Sequence, residues 1–274
     1  MSAARSPGDR LPFGRALVDG APRHCLFDGD LVRLLDRPAY EPGAGEQAVV
    51  PLYGLRILAP VAPSKVLAVG LNYRAHAAEL AMEVKAEPII FIKPPSTVIG
   101  PGETIVAPAA ARQVDYEAEL ALVVGRRCRN LDQAGAADAV AGYTCGNDVT
   151  ARDLQKVDGQ WTRAKSFDTF CPLGPVVVRD APPPDAAVTA AIDGGEVQRG
   201  RVGDMIVSPL ELLVFVSGIM TLEAGDVILT GTPPGVGPLA AGQVVTITVE
   251  GVGSLSNPVV AGGHWGSEAA RSPR

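Results

Sequence analysis

Apolar positions along this chain fall mostly in short runs and alternations, the signature of strands rather than of long amphipathic helices. In 31–35, Leu31, Arg33 and Leu35 face away from Val32 and Leu34, which predicts a short strand; a Pro/Gly-rich stretch, 38–45, follows. Pro60 and Pro63 punctuate the chain before the apolar run KVLAVG (65–70), which predicts a buried strand. We place a boundary near Ala62, dividing a small N-terminal module, 1–62, from a main domain, 63–274. Within the latter, strands are predicted at Ile89–Lys93, 114–124, 176–178, Val227–Leu229 and Val244–Val249. Helices are predicted at 132–140 and 209–217, the second opening with Pro at a favourable first-turn position. Strands and helices do not alternate regularly, which disfavours a doubly wound sheet and favours a β-rich α+β fold. There is no internal repeat, and Pro182-Pro183-Pro184 is the one low-complexity patch.

Composition narrows the function classes. Of 274 residues, 47% are hydrophobic and 5% aromatic, so a sizeable core is built largely from Ala, Val, Leu and Ile. The net charge of −6, with no dense Lys/Arg run, argues against a nucleic-acid partner. The most apolar stretch, 210–222, is interrupted by Glu211, Ser217 and Gly218, so no membrane span is expected. Residues 1–20 carry Arg5, Asp9, Arg10, Arg15 and Asp19 with no apolar segment of the secretory kind, and the expected location is the cytoplasm. Cys25, Cys128, Cys145 and Cys171 are widely spaced and predict reduced, buried thiols. With only His24, His76 and His264 available, a three-histidine zinc site would need them all.

Four segments hold candidate chemistry. Along the strand 114–124, Val114, Tyr116, Ala118, Leu120 and Leu122 share one face, while Asp115, Glu117 and Glu119 share the other with Ala121 and Val123. Neighbours on that face sit about 6–7 Å apart at the backbone, so the Glu117 and Glu119 carboxylates can converge on one ion. A solvent-facing polar stripe is the bland alternative. Asp148, in GNDV (146–149), is a second acidic position that would complete an all-oxygen site suited to Mg²⁺, Mn²⁺ or Ca²⁺. In GLNYRAHAAE (70–79), His76 and Glu79 lie three apart on one side of a helical turn, as an oriented general base requires, or as any surface pair does. Lys165 follows as a cation that could neutralise an anionic substrate, or as a solvated lysine. The glycines of GDVILTGTPPGVG (225–237) suggest a phosphate loop, but no Gly-Lys-Ser/Thr follows and two prolines remove amide donors. That segment is expected to be a rigid turn against substrate, with Thr230 or Thr232 as hydroxyl donor, or a plain structural turn.

In this order, GLNYRAHAAE (70–79), FIKPPS (91–96), DYEAELA (115–121), GNDVTARDLQ (146–155), KSFDTFCPLGP (165–175) and AGDVILTGTPPGVG (224–237) resemble the fumarylacetoacetate hydrolase family. The motifs lie nearest to its acylpyruvase and hydroxyhepta-dienedioate isomerase-like members. The resemblance spans 65–257 and implies a mixed β-sheet roll with flanking helices behind a small N-terminal β module. It implies a homodimer and a divalent metal, Mg²⁺ or Mn²⁺, held by Glu117, Glu119 and Asp148. His76 and Glu79 match the catalytic dyad and Lys165 the substrate-facing lysine, while Arg152, Gln155 and Thr232 match positions that contact a 2-oxo acid. The implied reaction is hydrolysis of a C–C bond in an acylpyruvate-like 1,3-diketo acid through a metal-stabilised enolate. Decarboxylation or isomerisation of hydroxymuconate-like acids, as in aromatic catabolism, and oxaloacetate decarboxylation could use the same site; a catalytically silent metal-binding protein is a further alternative. Ala164, the turn Asp193-Gly194-Gly195-Glu196 and the linker 238–243 depart from the family pattern and leave substrate choice open.

Overall fold

The computed structural model describes residues 11–263. It is a mostly β structure of three sheets and five short α-helices among the described residues. The largest sheet has twelve strands. Its centre is Cys171–Val178, Val140–Asn147, Ala118–Val124, Val227–Leu229 and Val66–Gly70, and Ile89–Lys93 forms one edge. The N-terminal strands Phe13–Val18, Ala21–Asp28, Leu31–Leu35 and Glu46–Pro51 form an antiparallel meander with its own apolar cluster of Ala16, Cys25, Val32 and Leu34. The meander joins the main sheet where Phe13 pairs with Val177.

A five-stranded sheet (Gly195–Arg201, Ala187–Ile192, Val244–Val249, Gly253–Ala261, Ile105–Ala107) packs against the first. Leu120, Leu122 and Cys145 from one meet Val188, Ile247 and Leu255 from the other. The third sheet is small: Thr150–Ala151, Val114–Tyr116 and Gly237–Pro238. All four cysteines are buried and unpaired. No helix among the described residues is long and apolar enough to cross a membrane. His24 and His76 lie in different parts of the fold, and His264 lies outside the described residues.

The stretch expected as one strand, 114–124, is in fact two. Val114–Tyr116 belongs to the small sheet and Ala118–Val124 to the large one, with Glu117 between them. The alternation still holds through the break. Val114, Tyr116, Ala118, Leu120 and Leu122 enter one core cluster, while Ala121 and Val123 enter another. Every residue of Ala118–Val124 is buried, because this strand has a packed layer on both faces.

Local signals fix the helices. Ser208 and Glu211 form a reciprocal capping box with Pro209 in the first turn, and the helix runs Pro209–Ile219. Asp132 caps Gln133–Ala139 by accepting from the Gly135 amide at 2.7 Å. Short helices Arg74–Glu79, Arg152–Asp158 and Thr162–Lys165 carry no strong sequence signal, since each is too brief to show a period.

Asp226 ties two central strands together. It is fully buried, and Oδ1 accepts from the Ser64 amide (3.0 Å), the Ser64 hydroxyl (2.7 Å) and the Lys65 amide (3.1 Å). Oδ2 accepts from Lys65 Nζ at 2.5 Å and from the Glu223 amide at 2.8 Å. This clamp sits where Val66–Gly70 starts its parallel pairing with Val227–Leu229. Replacing Asp226 with Ala would orphan these donors together, and a loss of about 3 kcal/mol is expected. Urea denaturation should show a lowered midpoint at unchanged slope; an unchanged midpoint would remove the clamp from the account of stability.

Candidate metal and acid–base site

Three buried carboxylates converge where the large and small sheets meet. Glu117 occupies the break between the two strands, and Glu119 sits two residues into the longer one. Asp148 follows the neighbouring strand Val140–Asn147, whose register places Gly146 opposite Glu119. Two hydrogen bonds lock the crossing: the Glu117 amide donates to Asn147 Oδ1 at 3.0 Å, and the Asp148 amide donates to the Glu117 carbonyl at 3.0 Å. One carboxylate oxygen from each of Glu117, Glu119 and Asp148 lies within 4.8 Å of the others, the spacing of a metal-ligand set.

Buried cations surround this cluster. Lys165, at the end of Thr162–Lys165, donates to Glu117 Oε2 at 2.8 Å and Asp148 Oδ2 at 2.6 Å. Lys93, fully buried at the end of the edge strand, donates to Asp148 Oδ1 at 2.5 Å and to the Val149 carbonyl at 3.2 Å. Arg152 opens the helix Arg152–Asp158; its guanidinium reaches Glu117 Oε1 at 2.5 Å, Asp115 Oδ2 at 2.8 Å and Gln155 Oε1 at 2.7 Å.

The compensation is uneven. Burial works against ionising Glu117, but Lys165 and Arg152 outweigh it and hold its carboxyl below the usual range. For Glu119, burial is joined by the like charges of Asp148 and Glu117, and its carboxyl is pushed well above the usual range. Among the described residues its hydrogen-bond donor is the Gly231 amide, at 2.7 Å from Oε2. An under-compensated carboxylate in an all-oxygen trio is the donor chemistry that a hard divalent cation fits. Lys165 itself stays protonated, since Asp148 and Glu117 overcome the burial that would discharge it.

The His76–Glu79 pair closes over the same cleft. Within Arg74–Glu79, His76 Nδ1 lies 3.0 Å from Glu79 Oε2, and His76 is 4% exposed. Glu79 also accepts from the Gly235 amide through Oε1 at 3.0 Å and Oε2 at 3.2 Å. The turn 230–235 therefore donates backbone amides to one carboxylate of each group, Glu119 and Glu79. Gly231 adopts φ +94°, and a Cβ there would come 2.6 Å from the Asn72 Cβ, so the close approach requires glycine. His76, Glu117, Glu119, Asp148, Arg152, Gln155, Lys165 and Thr232 all line one small cleft.

Thus the structure brings the proposed ligands, His76, Lys165, Arg152, Gln155 and Thr232 to one place, with Glu79 directly behind His76. Several are already engaged with protein groups. The Thr232 hydroxyl donates to the Ala118 carbonyl at 2.9 Å and accepts from Gln198 Nε2 at 2.7 Å; the Thr230 hydroxyl donates to the Leu120 carbonyl at 2.8 Å. Both threonines staple the turn to the Glu119 strand. Lys93, Asp115, Gln198 and Asn72 have site roles that reading the sequence did not assign. Lys93 lies inside the FIKPPS motif and Asp115 on the acidic stripe, whereas a single Gln in a mostly exposed strand carries no signal. Asn72 fastens the segment before the His76 helix, donating to the Val207 and Thr230 carbonyls at 2.9 and 2.7 Å.

Comparison with known proteins finds a family model, sequence relatives and solved structures similar to this chain. The model of the family described as fumarylacetoacetate (FAA) hydrolase C-terminal matches residues 65–260. The mitochondrial oxaloacetate tautomerase of Xenopus laevis is 40% identical over 227 residues, covering 78% of this chain and 71% of that protein. The crystal structure of 5-carboxymethyl-2-hydroxymuconate delta-isomerase from Mycobacterium smegmatis superposes with a TM-score of 0.83 at 44% identity, over 92% of this chain and 100% of the other. Maleylpyruvate hydrolase from Sphingobium sp. SYK-6, in complex with manganese(II) and pyruvate, superposes with a TM-score of 0.76 at 28% identity, over 92% and 100% of the two chains.

The uneven compensation has a pH signature. Glu119 has a folded-state pKa above its ordinary 4.5, so its contribution to stability is fully present below about pH 4.5 and is lost as pH rises through the folded value. In EDTA, Glu119→Gln should therefore unfold at a higher temperature than the parent at pH 7.5, with the difference shrinking toward pH 4.5. Excess Mn²⁺ should raise the parent's melting temperature and leave the variant's nearly unchanged. Equal stabilisation of both by Mn²⁺ would remove Glu119 from the ligand set.

Proposed function

This chain belongs to the fumarylacetoacetate hydrolase family, and on that basis we propose that it is a divalent-metal-dependent enzyme that hydrolyses the C–C bond of an acylpyruvate. One juxtaposition carries the reading: an under-compensated carboxylate trio and an oriented imidazole–carboxylate pair face the same small cleft. The fold allows several reactions, and the site chemistry selects among them. Members of the family include hydrolases, isomerases and tautomerases.

Glu117, Glu119 and Asp148 would hold Mg²⁺ or Mn²⁺, which when bound supplies Lewis-acid polarisation of a 2-oxo acid's carboxylate and keto oxygens. A manganese(II)–pyruvate complex of the Sphingobium relative supports that pairing of ion and ligand. Lys165 places a buried positive charge beside the position where enolate charge develops, stabilising it without reorganisation. Glu79 fixes the His76 tautomer through Nδ1, leaving Nε2 to take a proton from water. That water adds to the distal carbonyl, the C3–C4 bond breaks with its electron pair passing to C3, and protonation of the resulting enolate gives pyruvate. The acyl group leaves as its carboxylic acid. Arg152 holds Glu117 and Gln155 in place, and Thr232 anchors the turn that carries Gly231 and Gly235.

A second reading, keto–enol tautomerisation or double-bond isomerisation, is favoured by the names of the Xenopus and M. smegmatis relatives. It needs the same enolate and lets His76 return the proton instead of activating water. Proton NMR of acetylpyruvate with the purified protein separates the two. Acetate and pyruvate should appear with Mg²⁺ and not in excess EDTA, whereas interconversion of the keto and enol forms with no cleavage would favour the second reading. His76→Ala should lower cleavage by about 10²–10⁴-fold while Mn²⁺ affinity holds. Unchanged turnover in that variant would overturn the base role.

A further inference from the structure

The cleft combines a charged cluster with an apolar lining, and the two meet where Lys165 Nζ lies 5.0 Å from the Phe91 ring centroid. Within the cluster, each cation is already engaged. The three guanidinium nitrogens of Arg152 donate to Glu117, Asp115 and Gln155, Lys165 bridges Glu117 and Asp148, and Lys93 lies behind Asp148. Around the cluster, four carboxylates (Asp115, Glu117, Glu119 and Asp148) face three cations (Lys93, Arg152 and Lys165), a balance of −1 when all are ionised. A divalent ion brings that to +1, and the Glu79 carboxylate behind His76 offsets it. A second carboxylate would enter the cleft as an uncompensated charge.

The apolar lining includes Leu80 and Met82, just after the His76 helix, together with Phe91 and Trp161. Phe91 and Trp161 pack edge to face with ring centroids 5.3 Å apart. A Cβ at position 70 would come 2.5 Å from the Trp161 ring, so Gly70 is what lets the indole lie against the end of its strand. Beyond this wall Met82, Phe91 and Trp161 continue into an outer depression with Ile90 and Ile92. An acyl tail that outgrows the inner cleft meets Ile90 and Ile92 there, beside the polar Gln160, Thr162 and Ser166.

We infer that the preferred substrates are acylpyruvates with an uncharged, apolar acyl group, and that Leu80, Met82, Phe91 and Trp161 are the residues that read it. This inference rests on the acylpyruvate reading above and narrows it to monocarboxylic acids. It sets this cleft apart from the polycarboxylic acids that appear in the names of the isomerase and tautomerase relatives.

Binding alone tests it. Isothermal titration of the Mn²⁺-loaded protein with pyruvate, 2-oxohexanoate and 2-oxoglutarate compares a shared 2-oxo acid head with no tail, an alkyl tail and a charged one. Each methylene buried is expected to tighten binding about fourfold, so 2-oxohexanoate should bind at least tenfold more tightly than 2-oxoglutarate. Trp161→Ala should weaken 2-oxohexanoate about tenfold while pyruvate affinity holds within about twofold; a merely structural loss would weaken both in parallel and overturn the assignment of Trp161. Met82→Ala, at a position 40% exposed and so safe for folding, should weaken 2-oxohexanoate about threefold. Pyruvate binding accompanied by equal or tighter binding of 2-oxoglutarate would overturn the inference and leave the 2-oxo acid reading standing. No binding of pyruvate would overturn that reading and this inference together.

Discussion

The organising constraint in this molecule is electrostatic: Asp115, Glu117, Glu119 and Asp148 are each at most 4% exposed, and the fold must keep them from expelling one another. It does so by feeding Lys93, Arg152 and Lys165 into the cluster from three separate elements. An edge strand ends in Lys93, a helix begins at Arg152, and a single helical turn ends in Lys165. Lysine and arginine are rarely this buried without a partner of opposite charge, and here each has at least one. Their cost is offset locally, and the residual imbalance falls on Glu119. The position left short of positive charge is the position at which a bound cation would be most favourable.

The backbone of the turn 230–235 supplies what side chains do not. Its glycines look like a phosphate loop, and its two prolines argue against one. Of the amides that remain, those of Gly231 and Gly235 bind carboxylates of the chain itself. One turn thereby sets Glu119 and Glu79 relative to each other, linking the carboxylate trio to the His76–Glu79 pair. Thr230, Thr232 and Gln198 fasten that turn to the strand carrying Glu119, so an error in its position would reach both functions at once.

Much of this was legible in the sequence because strand alternation is a period-two signal that survives interruption. Glu117 and Glu119 are expected on one face, and they remain there although the chain changes sheets at Glu117. The caps at Asp132 and Ser208 are equally readable, being local chemistry. The change of sheet itself is not readable, because it depends on Asn147 and Gly146 in a strand paired across a long loop. The small β elements and one-turn helices escape for a different reason: two to seven residues hold too little pattern to separate strand, helix and turn. Lys93 illustrates the limit at the site. Its neighbours Ile89, Ile90, Phe91 and Ile92 predict a strand, yet only the fold reveals that the strand's last residue ends beneath Asp148.

The same geometry explains why one cluster suits a family with several reactions. On the proposed reading, stabilising the enolate of a 2-oxo acid would fall to the carboxylate trio and Lys165, and it is common to hydrolysis, isomerisation and tautomerisation. The fate of the enolate would then depend on whether His76 activates a water or returns a proton, and on what the distal substituent touches. In this chain the His76 helix leads within a few residues to Leu80 and Met82, so the segment proposed to handle the proton would also meet the distal substituent. Binding energy from that substituent is then available to position His76, which places reaction choice and substrate choice in one short stretch rather than in the metal site.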